Sequence, residues 1–286
     1  MQLKENPDME ITYDEKEYIV YLLNSNAGGQ LLKNCFDRAA TEDRNRPFLV
    51  TPTATAKLYE DARASKTLPN RVLMGENLLG ICDIVAPASC SYFTILSDPI
   101  ERIVSTYVQA LSSGVLQEGE SIKNWAFRQR DYFLNQLLQT AESCSEPNGD
   151  GAAEVEIAIQ SHPDESLDVA LIGITEWFKL VCNSADMTGC LRALQLAYGL
   201  DLSVCIDDFA GLKPAGKDMD PALAQLLEDQ TTDGDYKGKT PLEKLKNKLQ
   251  QDEEISDVMH ADSQCYQKVV QTARIEDEEV DKRRRK

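Results

Sequence analysis

The sequence predicts an α/β fold with a mainly parallel central sheet flanked by helices. Two observations carry that expectation. Short apolar, partly β-branched segments alternate along the chain with longer stretches of helical periodicity. The first apolar segment also runs through a glycine-bearing turn straight into a helical stripe, the opening of a strand–loop–helix unit.

The strand segments come in order. Residues 17–23 (Glu-Tyr-Ile-Val-Tyr-Leu-Leu) read as a buried strand. The turn Asn24 to Gly29 follows, and Leu31, Leu32, Cys35, Phe36 and Ala39 mark a helix. Residues 48–50 are a second strand, 54–64 a helix and 71–75 a third strand. A fourth strand, 91–96, leads into a strongly signalled helix. There Asp98 caps, Pro99 suits the first helical position, and Glu101 completes a capping-box pattern. Apolar residues at 100, 103, 104, 107, 108 and 111 then form one helical face. Residues 168–174 read as a further buried strand, with Thr175 capping a helix through Trp177, Phe178, Leu180 and Val181. Helices are expected over 188–198, 242–249 and 263–272.

The chain divides into a polar N-terminal segment 1–16, one domain over 17–274 and a charged tail 275–286. Residues 142–168 are an acidic region expected to be a solvated loop. Between Asp131 and Glu176 there are ten acids and no Lys or Arg.

Composition excludes several classes of function. The chain has 286 residues, with 30 Lys and Arg against 48 Asp and Glu, a net charge of −18. That balance argues against nucleic acid and anionic membranes as partners, since both need a basic footprint. No segment reaches the length of a membrane span, and the acidic start is no secretory or transit signal, so the chain reads as cytosolic or as lacking an upstream anchor. The eight cysteines include no CxxC pair. Buried thiols are therefore expected, with one or two bridges left open for a lumenal domain. The two histidines, His162 and His260, read as surface residues, and no metal is expected.

A glycine loop between strand and helix suits an anion, because backbone N–H groups point outward at the helix start. The spacing GxxxxGK[ST] is absent, which excludes a nucleotide-triphosphatase loop. The segment Tyr92-Phe-Thr-Ile-Leu-Ser-Asp-Pro-Ile-Glu-Arg-Ile-Val-Ser-Thr-Tyr107 resembles the LRDPxERxxSxY motif of Golgi-type carbohydrate sulfotransferases, the heparan sulfate 2-O- and chondroitin enzymes. Residues 25–29 lie where that family has its PKTGGTS loop. Residues 124–137, 168–176 and 261–266 are similar to its mid-chain helix, its VGLTE step and its C-terminal helix.

The resemblance implies a P-loop-like sulfotransferase fold and sulfuryl transfer from PAPS (3′-phosphoadenosine 5′-phosphosulfate) to a carbohydrate hydroxyl. It also implies a lumenal or membrane location in the Golgi. It places donor-binding residues at Ser25, Asn26, Ala27, Gly28, Gly29, Gln30, Ser97 and Ser105, and catalytic roles at Asn26 and Glu76. Three of these positions depart from the family. Asn26 stands for the loop Lys, Ser97 for the Arg of LRDP, and Glu76 for a His that serves as base. With that His neutral, the site is about three charges more negative than the family pattern, which argues against a strongly sulfated acceptor. Two readings follow: an active enzyme with a diverged donor site, or an inactive pseudo-sulfotransferase that binds or regulates.

Overall fold

The computed structural model describes residues 17–24, 29–40, 43–85, 90–116, 119–143, 150–210 and 240–271. The terminal segments 1–16 and 275–286 and the polar stretch 211–239 lie outside the described residues.

Five strands form one parallel sheet. They are β1 (Tyr18–Leu22), β2 (Pro47–Val50), β3 (Val72–Gly75), β4 (Cys90–Leu96) and β5 (Phe178–Asn183), in the spatial order β2-β3-β1-β4-β5. Ile19 pairs with Val72 on one side of β1 and with Ser91 on the other. Both faces are covered, as a parallel sheet requires. Ile19 and Tyr21 point into one core with Leu32 and Phe36 of α1 (Gly29–Ala39), while Val20 and Leu22 point into a second with Leu58 and Tyr59 of α2 (Pro52–Ser65). Tyr21 stacks on Phe93 at 4.5 Å between ring centres, so the central two strands are joined by aromatic packing as well as by the ladder.

The short helix α3 (Ile81–Val85) precedes β4, and α4 (Pro99–Ser112) follows it. Asp98 caps α4 as the sequence predicts, accepting from the N–H groups of Ile100 and Glu101, each at 3.0 Å. The Glu101 carboxylate, expected to close a capping box, instead meets Lys246 Nζ at 2.5 Å.

α5 (Ile122–Arg128) packs beside α4, whereas α6 (Tyr132–Leu138), α7 (Asp150–Ser161) and α8 (Pro163–Glu176) pack against one another. After β5 come α9 (Met187–Tyr198) and α10 (Ser203–Ala210), then α11 (Pro241–Gln251), α12 (Glu253–Val258) and α13 (260–271). None of the helices among the described residues is long and apolar enough to cross a membrane.

Three expectations are corrected. Residues 168–174 are not a strand but the second half of α8. Pro163 opens that helix, and Asp164 and Glu165 in its first turn complement the helix dipole. Ala170, Gly173 and Ile174 face the core, while Val169 is 44% and Ile172 50% exposed, a division that a fully buried strand would not show. The strand is β5, where Leu180, Val181 and Cys182 pair with Phe93, Thr94 and Ile95, over residues expected to be helical. Residues 150–161 and 163–168 of the acidic region are likewise helical rather than a solvated loop.

The third correction concerns cysteine. Cys35–Cys205, Cys82–Cys90 and Cys182–Cys190 are disulfides, with Cα atoms 5.6, 5.3 and 5.5 Å apart. They tie α1 to α10, α3 to β4 and β5 to α9. Cys265 is a buried thiol, and burial pushes its pKa up to about 12.

A buried ion pair joins the C-terminal helix to the rest of the molecule. One Arg102 nitrogen lies 2.9 Å from Asp262 Oδ2, and both side chains are fully enclosed. The other Asp262 oxygen accepts from Phe133 N–H at 2.8 Å. Arg102 also donates to the Gln129 side chain, and its guanidinium lies 4.1 Å from the Tyr132 ring centre. Burial lowers the Arg102 pKa and raises that of Asp262 to about 6, against the opposing pull of each partner.

Asp262→Asn should therefore cost about 3–5 kcal/mol in urea unfolding, because it strands a buried cation. Arg102→Met with Asp262→Leu should recover most of that loss. A loss below about 1 kcal/mol for Asp262→Asn would mean that the pair is solvated.

Candidate functional site

The chain leaves β1 for β2 on one side of the sheet, returns through β3, then crosses β1 to reach β4 on the other side. In open parallel sheets a crevice forms outside the carboxyl ends of the strands where the order reverses in this way. Here that place lies between the ends of β1 and β4, with the starts of α1 and α4 facing it.

Asn24, at the end of β1, is 4% exposed. Its amide donates to Thr94 Oγ1 at 2.6 Å and to Ile95 O at 2.9 Å, and Thr94 in turn donates to Leu22 O at 2.9 Å. These bonds clip the ends of β1 and β4 together. Ile95 O can only accept, so it fixes the Asn24 amide nitrogen toward β4 and leaves Oδ1 as a buried acceptor without a hydrogen-bond partner. Two more buried atoms at the carboxyl ends of the strands lack partners, Ser97 Oγ after β4 and Asn77 Oδ1 after β3.

The residues singled out in the sequence sit as follows. Ser25, Asn26, Ala27 and Gly28 lie outside the described residues. Gly29 opens α1, where a Cβ would run into Leu23 Cδ2. Gln30 is exposed and donates to Asn34 along its own helix at 3.0 Å. Glu76 directly follows β3, is half-buried, and has its pKa raised by that burial. Ser97 is 4% exposed. Ser105 is exposed, about two turns into α4. Gly29, Glu76 and Ser97 thus share the carboxyl edge of the sheet, whereas Ser105 lies along the outer surface of α4.

The charges at this edge are mainly negative. The start of α4, where backbone N–H groups and the helix dipole would receive a phosphate, already holds the Asp98 carboxylate. The cations on the neighbouring helices are engaged. Lys33 lies 2.6 Å from Asp37, Lys246 meets Glu101, and Arg102 is withdrawn to Asp262. Arg128 and Arg130 pair with Glu120 and Asp131. Of the buried side-chain atoms without partners at this edge, the amide oxygens of Asn24 and Asn77 accept hydrogen bonds, whereas the hydroxyls of Ser97 and of Tyr21, which lies beside Gly29, can donate them.

Each of these cations is thus matched by a carboxylate of this chain. No group of three or more His, Cys, Asp or Glu side chains that could hold a metal ion occurs among the described residues.

Sequence reasoning missed Asn24, Thr94 and Asn77. A usable signal existed for Thr94, a polar residue inside an otherwise apolar buried strand.

No family model matches the chain, and no curated protein matches it. Among solved structures, a sulfotransferase from Alicyclobacillus acidocaldarius matches at 11% identity and a TM-score of 0.31, covering 82% of this chain and 96% of that one. A likeness of that size carries no argument about this chain's chemistry, which rests on the residues themselves.

Ser97→Ala tests the edge directly. Removing a buried hydroxyl that has no partner should stabilise the chain by about 1 kcal/mol in denaturant unfolding. A loss of stability would mean that the hydroxyl has a partner.

Proposed function

We propose that this chain is a sulfotransferase-like domain that keeps the frame of the fold without the donor chemistry, and acts as a binding or regulatory protein. The observation that carries this reading is the strand end at residues 97–98. The position where the resembling family has a phosphate-binding Arg is a buried Ser. Arg102, the nearest cation in that motif, serves architecture through Asp262.

A second reading keeps a PAPS-dependent transfer to a carbohydrate hydroxyl. One observation favours it: Glu76 stands at the carboxyl end of β3 with a raised pKa, as a general base for an acceptor hydroxyl would.

Titration with PAP (adenosine 3′,5′-bisphosphate) separates the two. A ligand at 100 times its dissociation constant stabilises by about 2.7 kcal/mol. The expected result is no shift in Tm at millimolar PAP and no label transferred from PAPS. A saturable shift with transfer that Glu76→Gln abolishes would establish the second reading instead.

The three disulfides support residence in an oxidising compartment, consistent with the Golgi lumen that the resemblance implies. Alkylation of the denatured, unreduced chain from its native source should leave these six cysteines unlabelled. Labelling of all six would place the chain in a reducing compartment.

A further inference from the structure

A cavity of about 540 Å³ opens at the other end of the sheet, beside the amino ends of β4 and β5. Its volume falls in the range of small-molecule sites. Leu79, Tyr92, Trp177 and Phe178 supply apolar and aromatic lining, and Asp83 and Glu176 supply two exposed carboxylates. Tyr92 and Phe178 meet edge to face at 6.1 Å, and Trp177 remains 37% exposed. The Cys82–Cys90 disulfide lies in the wall and joins α3 to β4, so the cavity is held open before any ligand arrives.

The local charge favours a cation. Lys179 also lines the cavity, but both Glu17 oxygens lie 2.9 Å from its Nζ, and its charge is matched there. Glu17, Asp83 and Glu176 together outweigh Lys179 by two negative charges, within a chain of net charge −18. Aromatic faces beside carboxylates bind ammonium and guanidinium groups through both the ring quadrupole and Coulomb attraction.

We infer that this cavity is a binding site for a small amphipathic organic cation, an amine or guanidine carried on an apolar body. The apolar body lies against Leu79, Trp177 and Phe178, and the charged head faces Asp83 and Glu176. The site is separate from the crevice at the carboxyl ends of the strands and is independent of whether PAPS binds there.

Calorimetric titration of the full chain with phenethylamine, phenylacetate and benzyl alcohol tests the assignment, with Trp177 emission as a second readout. Phenethylamine should saturate and shift the emission, the neutral alcohol should bind at least about tenfold more weakly, and the anion should not bind. Raising the salt from about 0.05 to 0.5 M should weaken the amine and leave the alcohol unchanged. Asp83→Asn with Glu176→Gln, both at exposed positions, should keep the Tm and reduce amine affinity about tenfold. Trp177→Phe should remove the optical signal. Equal binding of all three probes, preference for the anion, amine binding indifferent to salt, or no amine binding at about 10 mM would each overturn the proposal.

Discussion

The Arg102–Asp262 pair is the constraint on which the helical half of the molecule depends. A guanidinium and a carboxylate with no access to water must meet each other, and their positions fix α4, the turn before α6 and α13 relative to one another. Ion pairs of this kind add little net stability over apolar side chains of the same shape, but they penalise any arrangement that leaves one charge alone. The pair therefore specifies where the C-terminal helix docks. Beyond the two cores on the faces of the sheet, Ile103 and Tyr107 of α4 and Leu245 and Leu249 of α11 share a further apolar cluster, whose burial holds these helices together.

The same pair bears on function. A motif that resembles a donor-binding segment has its Arg turned inward, its helix start closed by Asp98, and a small buried Ser at the end of the strand. A net charge of −18 would tell little by itself. Its meaning comes from position, because the acids reach both ends of the sheet: Asp98, Glu101 and Glu76 at one, Asp83 and Glu176 at the other.

Local signals were legible in the sequence and tertiary ones were not. Asp98-Pro99 announced its helix because a cap acts within one turn. Residues 168–174 misled because a short, mainly apolar run fits a buried strand and a helix face equally well. The next segment misled in the opposite sense: Trp177, Phe178, Leu180 and Val181 fall at helical spacing, yet the free edge of β4 recruits them as β5. The disulfides were hidden for a different reason. Two of them bridge residues only 8 apart, but that spacing becomes a 5 Å approach only after a strand and a helix have turned against each other. At the candidate site, the strands that end just before Glu76 and Ser97 are legible in the sequence. The role of Asn24 as a clip depends on Thr94, 70 residues away.

The Cys35–Cys205 bridge makes a topological statement about the sheet. It closes the backbone between the two cysteines into a covalent ring, and β2, β3, β4 and β5 all lie within that ring. β1 lies outside it, although β1 sits between β3 and β4 near the middle of the sheet. The middle strand of the sheet is thus the one strand of the five that the ring does not enclose. A single backbone cut anywhere inside the ring releases no fragment, whereas a cut between Leu22 and Cys35 frees the inner strand of the sheet from every covalent tie.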